Sequence, residues 1–174
     1  KEINVSMSKS TSDQEMKTEK SVKNVDVNYD DTDIKCIIKA IENDNNADVM
    51  LTTFTNIQQE KNDILQQLKL RGKELKEYHK KLKEYRFIDD LASIRDGCYA
   101  RWINILDEKH TLMKGAIVNS VNETDGYIYL KSANPFAKNR FMTLQFDKIV
   151  LFQKLTEQEL ILLKISKIID DSNI

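Results

Sequence analysis

From Ala47 to Tyr85 one apolar stripe recurs at alternating steps of three and four: Ala47, Met50, Phe54, Ile57, Lys61, Ile64, Leu68, Arg71, Leu75, Tyr78, Leu82 and Tyr85. Such steps return side chains to one side of an α-helix, so a stripe this long predicts an extended helix whose seam needs a partner. Composition agrees, because 174 residues with 4 glycines and 1 proline hold few turn signals. We therefore expect a coiled-coil helix over 47–96, with Phe54, Ile57, Ile64, Leu68, Leu75, Tyr78, Leu82 and Tyr85 as its interface. Self-association is the expected outcome, although a helix of another protein would satisfy the same seam. Lys61 and Arg71 interrupt the stripe at a and d positions, where polar residues fix register or partner number at a cost in stability.

Within this helix the run KLRGKELKEYHKKLKEYR, residues 69–86, is strongly basic. Phosphates would suit it, since their neutralisation releases counterions and gives sequence-independent affinity. Interleaved Glu74, Glu77 and Glu84, with Glu77 four residues before Lys81, instead favour a solvated helix surface.

After Asp96-Gly97 the period changes from helical to two. CYARWINI (98–105), KGAIVNSV (114–121), GYIYLKS (126–132), RFMTLQF (140–146) and KIVLFQKL (148–155) are short β-branched and aromatic runs separated by polar breaks. Five such runs in so short a span predict a strongly bent antiparallel sheet closed into an SH3-like barrel over 97–155. An OB-like barrel is second, because no long connection is available. In the first strand Cys98, Ala100, Trp102 and Asn104 alternate with Tyr99, Arg101, Ile103 and Ile105. Either Trp102 is core and Arg101 reaches the surface, or Arg101 lies inside an interface.

The ends differ from this middle. Residues 1–32 mix isolated Val, Ile and Met with charged and hydroxyl residues and read as an extended polar tail. A short amphipathic helix and linker follow over 33–46, with Ile34, Ile37, Ile38 and Ile41 at helical spacing. Over 156–174 we expect a C-terminal helix opened by the capping box Thr156/Glu159. Its apolar residues exceed one face, leaving Ile161, Ile165 and Ile169 as a barrel or partner interface together with Arg101 and Trp102.

Little in the chain points to catalysis. There is no Gly-rich phosphate loop, GxSxG elbow, HExxH or EF-hand loop, and neither His79 nor His110 has a carboxylate or thiol at recognisable spacing. Cys36 and Cys98 lack a metal-ligand pattern and read as free thiols of a reducing compartment. No metal or cofactor is expected. No apolar run is long enough for a membrane span, and an intracellular, cytoplasmic location is the expectation. A formal net charge of −1 argues against a polyelectrolyte binder overall. Nucleic acid nonetheless stays as the second reading, because Tyr99, Arg101, Trp102, Tyr127, Tyr129, Arg140 and Phe141 set aromatic beside basic groups in the β region.

The arrangement IRDGCYARWINI … LMKGAIVNSV … YIYLK … RFMTLQFDKIVLFQKLT after a helical stem resembles small proteins of large nucleocytoplasmic DNA viruses. The resemblance covers about residues 50–165 and rests on pattern. It implies a virion-associated structural role, such as a minor capsid or internal bridging protein, and carries no catalytic residues. The expectation is thus an α+β chain: a long N-terminal coiled-coil helix, a small five-stranded antiparallel SH3-like β-barrel and a short C-terminal helix. It would work as a non-enzymatic structural protein with protein partners, as a homo-oligomer or within a larger assembly.

Overall fold

The computed structural model describes residues 31–134, 136, 138 and 140–172. The tail expected over 1–32 lies outside them, except that Asp31 and Thr32 already belong to helix α1, Asp31–Ile41. The stem is not one helix. It is a 3₁₀ turn at Asp44–Asn46 followed by α2 (Ala47–Met50), α3 (Phe54–Gln67), α4 (Gly72–Lys81) and a strand, β1 (Tyr85–Ile88).

Local chemistry explains the breaks. Thr53 accepts a hydrogen bond from the Asn56 amide and caps α3. At the other end Lys69 takes the left-handed conformation, φ 61°, while the amides of Lys69 and Leu70 bond back to the carbonyls of Gln66 and Leu65. That is a helix-terminating turn, and α4 restarts at Gly72, whose φ of 60° suits glycine. Folding the stem this way lays its stripe on the sheet. Leu65, Leu68, Tyr78 and Leu82 are buried against Ile103, Leu112, Val150 and Phe152, with Ile64, Leu75 and Tyr85 packed around them. The coiled coil is therefore corrected, because an apolar stripe at helical spacing can be buried by the chain's own sheet as well as by a second helix.

The remaining strands are β2 (Tyr99–Asn104), β3 (Ala116–Asn122), β4 (Tyr127–Lys131), β5 (Phe141–Gln145) and β6 (Ile149–Lys154), and α5 spans Glu157–Ser172. Together they form one open antiparallel sheet of six strands in the order β1-β6-β2-β3-β4-β5. The expected five-stranded barrel is overturned by β1. A strand has two edges, and β6 pairs with β2 on one and with β1 on the other, so neither is left for closure onto β5.

One face of the sheet encloses Ile88, Ala100, Trp102, Val118, Ile128, Leu130 and Leu151. The opposite face is covered by α3 and α4 over β1, β6 and β2. A third cluster joins Val49 and Ile57 to Leu155 and Leu163 of α5. The capping box at α5 is made in both directions: Thr156 N–H donates to Glu159 Oε2 at 2.6 Å, and Glu159 N–H donates to Thr156 Oγ1 at 3.2 Å. No helix among the described residues is long and apolar enough to cross a membrane.

Candidate functional site

Residues paired across antiparallel strands point to the same face. Tyr99 pairs with Ile117, Ile117 with Lys131 and Lys131 with Phe141, while Tyr127 and Tyr129 pair with Gln145 and Thr143. All these side chains stand on the face that α3 and α4 cover further along, but over β3, β4 and β5 no helix among the described residues lies on them. Tyr127 is 37%, Tyr129 39% and Phe141 67% exposed. Tyr129, Phe141, Met142 and Thr143 line a shallow depression of about 420 Å³ with Asn119 and Ser120 beside the register shift in β3.

Tyr99 and Arg101 extend this face toward the helices. The Tyr99 hydroxyl donates to the Lys114 carbonyl at 3.0 Å and Arg101 Nε to the Met113 carbonyl at 2.9 Å. Gly115 lets both lie flat: at its φ of 101°, a Cβ would stand 2.7 Å from Tyr99 Cε1 and 2.9 Å from Arg101 Cγ. Burial pushes the Tyr85 phenol up, and the Arg101 charge partly offsets that. Trp102 is core, and Arg101 reaches a partly open surface.

The edge of the sheet at β5, unpaired among the described residues, adjoins the same surface. Arg140 C=O accepts from the Ser132 amide and Phe146 N–H donates to the Gly126 carbonyl, so both turn toward the β4 side. Backbone direction alternates along a strand, which leaves the amides and carbonyls of Phe141, Thr143 and Gln145 directed outward. No charged residue or proline stands within FMTLQ.

A second concave region is a polar cleft of about 900 Å³ between the 3₁₀ turn at 44–46, segment 91–98 and the start of α5. Asp44, Asp48, Asp96, Glu123 and Glu157 line it, with Arg95 and Cys98. Behind it lies the buried Glu159, 3.2 Å from Arg95 Nη1 and 3.7 Å from Arg86 Nε. Arg86 Nη2 donates to the Ser93 carbonyl at 2.8 Å, while Gln153 bonds both the amide and the carbonyl of Arg95. Arg95 Nη1 also reaches Asn46 Oδ1 at 3.1 Å.

This network ties α5 and the 44–46 turn to β1 and β6. Burial lowers the Arg86 pKa against the opposing pull of Glu159. The Cys98 thiol is pushed up, first by burial and then by Glu159, which keeps it in the unreactive protonated form. Neither Oε1 of Glu159 nor Nη2 of Arg95 makes a hydrogen bond among the described residues, so charge attraction holds them. Among those residues no group of three or more His, Cys, Asp or Glu side chains is placed to hold a metal ion.

Of the residues expected to form a coiled-coil seam, Ile64, Leu68, Leu75, Tyr78, Leu82 and Tyr85 are brought together on their own sheet, while Ile57 packs with Leu155 and Leu163. Ile57, Leu68, Tyr78 and Leu82 are buried, Ile64, Leu75 and Tyr85 are half-buried, and Phe54 is exposed at the start of α3. Tyr78 also bonds through its hydroxyl to the His110 carbonyl and the Leu112 amide, pinning α4 over the β2–β3 connection. Ile161 and Ile165 are half-buried and Ile169 is exposed, on a helix remote in sequence from Arg101. The sequence reading missed the Arg86–Arg95–Glu159 network, whose members are local neighbours only in space.

No family model matches the chain, nor does any curated protein or solved structure, and nothing in the comparisons links it to proteins of large nucleocytoplasmic DNA viruses.

Proposed function

We propose that this chain is a non-enzymatic interaction protein that accepts an extended segment of another polypeptide along β5. The observation that carries this reading is the outer edge of β5, with which no described strand pairs. Three residues turn their backbone groups outward beside an aromatic face that no described helix covers, without the charges or prolines that usually blunt such an edge. Strand addition draws affinity from main-chain hydrogen bonds and specificity from alternate side chains, and here Tyr127, Tyr129 and Phe141 would supply the latter. A structural or bridging role follows naturally from such a surface.

Selection of displayed random peptides on the full chain tests it. Selected peptides are expected to perturb the amide resonances of Phe141, Thr143 and Gln145 and to lose affinity for Thr143→Pro. Peptides that bind with those three amides undisturbed would sink the reading.

A second reading has its own observation: Tyr99, Arg101, Tyr127, Tyr129 and Lys131 share one face, an arrangement that suits stacked bases and phosphates. Titration with oligothymidylate separates the two. Affinity that falls steeply with salt and is lost in Tyr129→Ala would favour nucleic acid over peptide.

A further inference from the structure

The rows of side chains that end at β5 differ in chemistry. Ser120 pairs with Tyr129 and Tyr129 with Thr143, while Ile117 pairs with Lys131 and Lys131 with Phe141. An extended segment added antiparallel to β5 continues both rows, because opposed residues of an antiparallel pair share a face. Its residue opposite Thr143 stands at the mouth of the depression of about 420 Å³ lined by Tyr129, Phe141, Asn119 and Ser120. Thr143 has the shortest of the three side chains on this side of β5, so a large side chain can lean across it toward the Tyr129 ring, with Phe141 as its diagonal neighbour. Two positions further along, the added segment stands opposite Phe141, in the row of Lys131. Lys131 is exposed and makes no ion pair among the described residues. Strands two apart in a sheet are separated by about 10 Å. A lysine and an acidic side chain close that gap between them.

We infer that β5 selects a segment with a two-residue signature: a large aromatic or apolar side chain opposite Thr143, and an acidic residue two positions toward the segment's C-terminus that pairs with Lys131. The inference rests on the reading of β5 as a docking edge and names the chemistry of what docks there. Direction follows from the sheet, whose described pairs are all antiparallel, the arrangement that is slightly more stable per residue. β5 runs from Phe141 to Gln145, so a segment laid antiparallel against it meets Gln145 first, Thr143 next and Phe141 last. The aromatic position should dominate, since an anchor buried between rings contributes more to binding than an ion pair open to solvent. Opposite Gln145, in the row of Tyr127, the segment meets an amide and a phenol and accepts polar and apolar residues alike.

Random heptapeptides displayed against the full chain read the signature directly. Among those that perturb the amide resonances of Phe141, Thr143 and Gln145, the expected consensus is an aromatic residue followed two positions later by Asp or Glu. Fluorescence anisotropy of a selected peptide then separates the two positions. Replacing its aromatic residue by alanine should weaken binding about tenfold or more, and Tyr129→Ala should shrink that ratio to about threefold or less. Replacing its acidic residue by lysine should weaken binding about fivefold, and Lys131→Glu should reverse the preference, the reversal fading as salt rises. Lys131 is exposed, so its substitution should leave the circular dichroism unchanged. Peptides that perturb the three amides without this pair, or with the pair in the opposite order, overturn the inference and leave docking at β5 standing. A charge preference that ignores Lys131→Glu overturns it as well. A library that yields no peptide perturbing those amides removes the docking edge itself, and the signature with it.

Discussion

The two edges of this sheet receive opposite treatment. At β1 the chain covers its own edge: α3 lies along it, and the fully buried Lys61 donates from Nζ to the Tyr85 carbonyl at 2.9 Å and to the Leu82 carbonyl at 2.7 Å. Glu84 C=O accepts from the Leu155 amide on the β6 side, so alternation turns the Tyr85 carbonyl outward, and Lys61 occupies it. At β5 the outward groups of Phe141, Thr143 and Gln145 have no such cover among the described residues. Among the described residues one edge is thus buried by a helix and a lysine, while the other is uncharged and aromatic, the difference on which the proposed docking at β5 rests.

The largest effect should come from stripping the cover. Leu65 on α3 is fully buried among Leu82, Val150 and Phe152. Leu65→Ala should cost about 2–5 kcal/mol, the range for deleting a buried leucine side chain with partial collapse of the cavity. Urea unfolding checks this. A loss below about 1 kcal/mol would mean that α3 does not depend on the sheet and that the contrast between the edges is weaker than drawn.

Lys61 gives the next effect, with a definite sign. Burial lowers its pKa from 10.5 to about 8. The folded state therefore holds fewer protons than the unfolded state between those values, so stability should rise with pH across that window. Deprotonation leaves two N–H donors on the nitrogen, enough for both carbonyls. From pH 8 to about 9.5 the gain should be on the order of 1–2 kcal/mol, and Lys61→Met should lack it. Parallel pH profiles for the two proteins would show that Lys61 is solvated in the fold and that the β1 edge is not sealed by it.

How much of this could be read in advance depends on the range of each interaction. The runs 98–105, 114–121, 126–132, 140–146 and 148–155 coincide with β2 to β6 to within two residues at each end, because alternation and polar breaks are local signals. The capping box of α5 was legible for the same reason. β1 was not: Tyr85 continues the helical stripe, and Arg86 in YRFI hides the strand, being held on the core side by Glu159 and Ser93. The barrel expectation failed with it, since this one strand takes the edge that closure needed. Lys61 stood out as an interruption of the stripe, yet its role depends on carbonyls 21 and 24 residues away. The aromatic and basic residues of the candidate face were legible by type. Which part of that face stays uncovered depends on where the chain breaks at Lys69, and Lys69 carries a conformation that glycine usually takes.

The smallest effect should appear at the open edge, and its smallness is the content of the prediction. Phe141 is mostly exposed and Thr143 directs its amide away from β4, so neither removes an internal hydrogen bond or a buried contact when changed. Proline is tolerated on edge strands where the missing N–H faces outward. Thr143→Pro and Phe141→Ser should each alter unfolding free energy by less than about 1 kcal/mol, a shift of roughly 2–4 °C or less in Tm for a chain of this size. The same substitutions should abolish peptide pairing at β5. A loss of several kcal/mol in Thr143→Pro would place the Thr143 amide in the β4 ladder, reverse the alternation along β5, and shift the outward groups to Met142 and Leu144. The docking proposal would then lose its geometry, while the covered edge at β1 would stand unchanged.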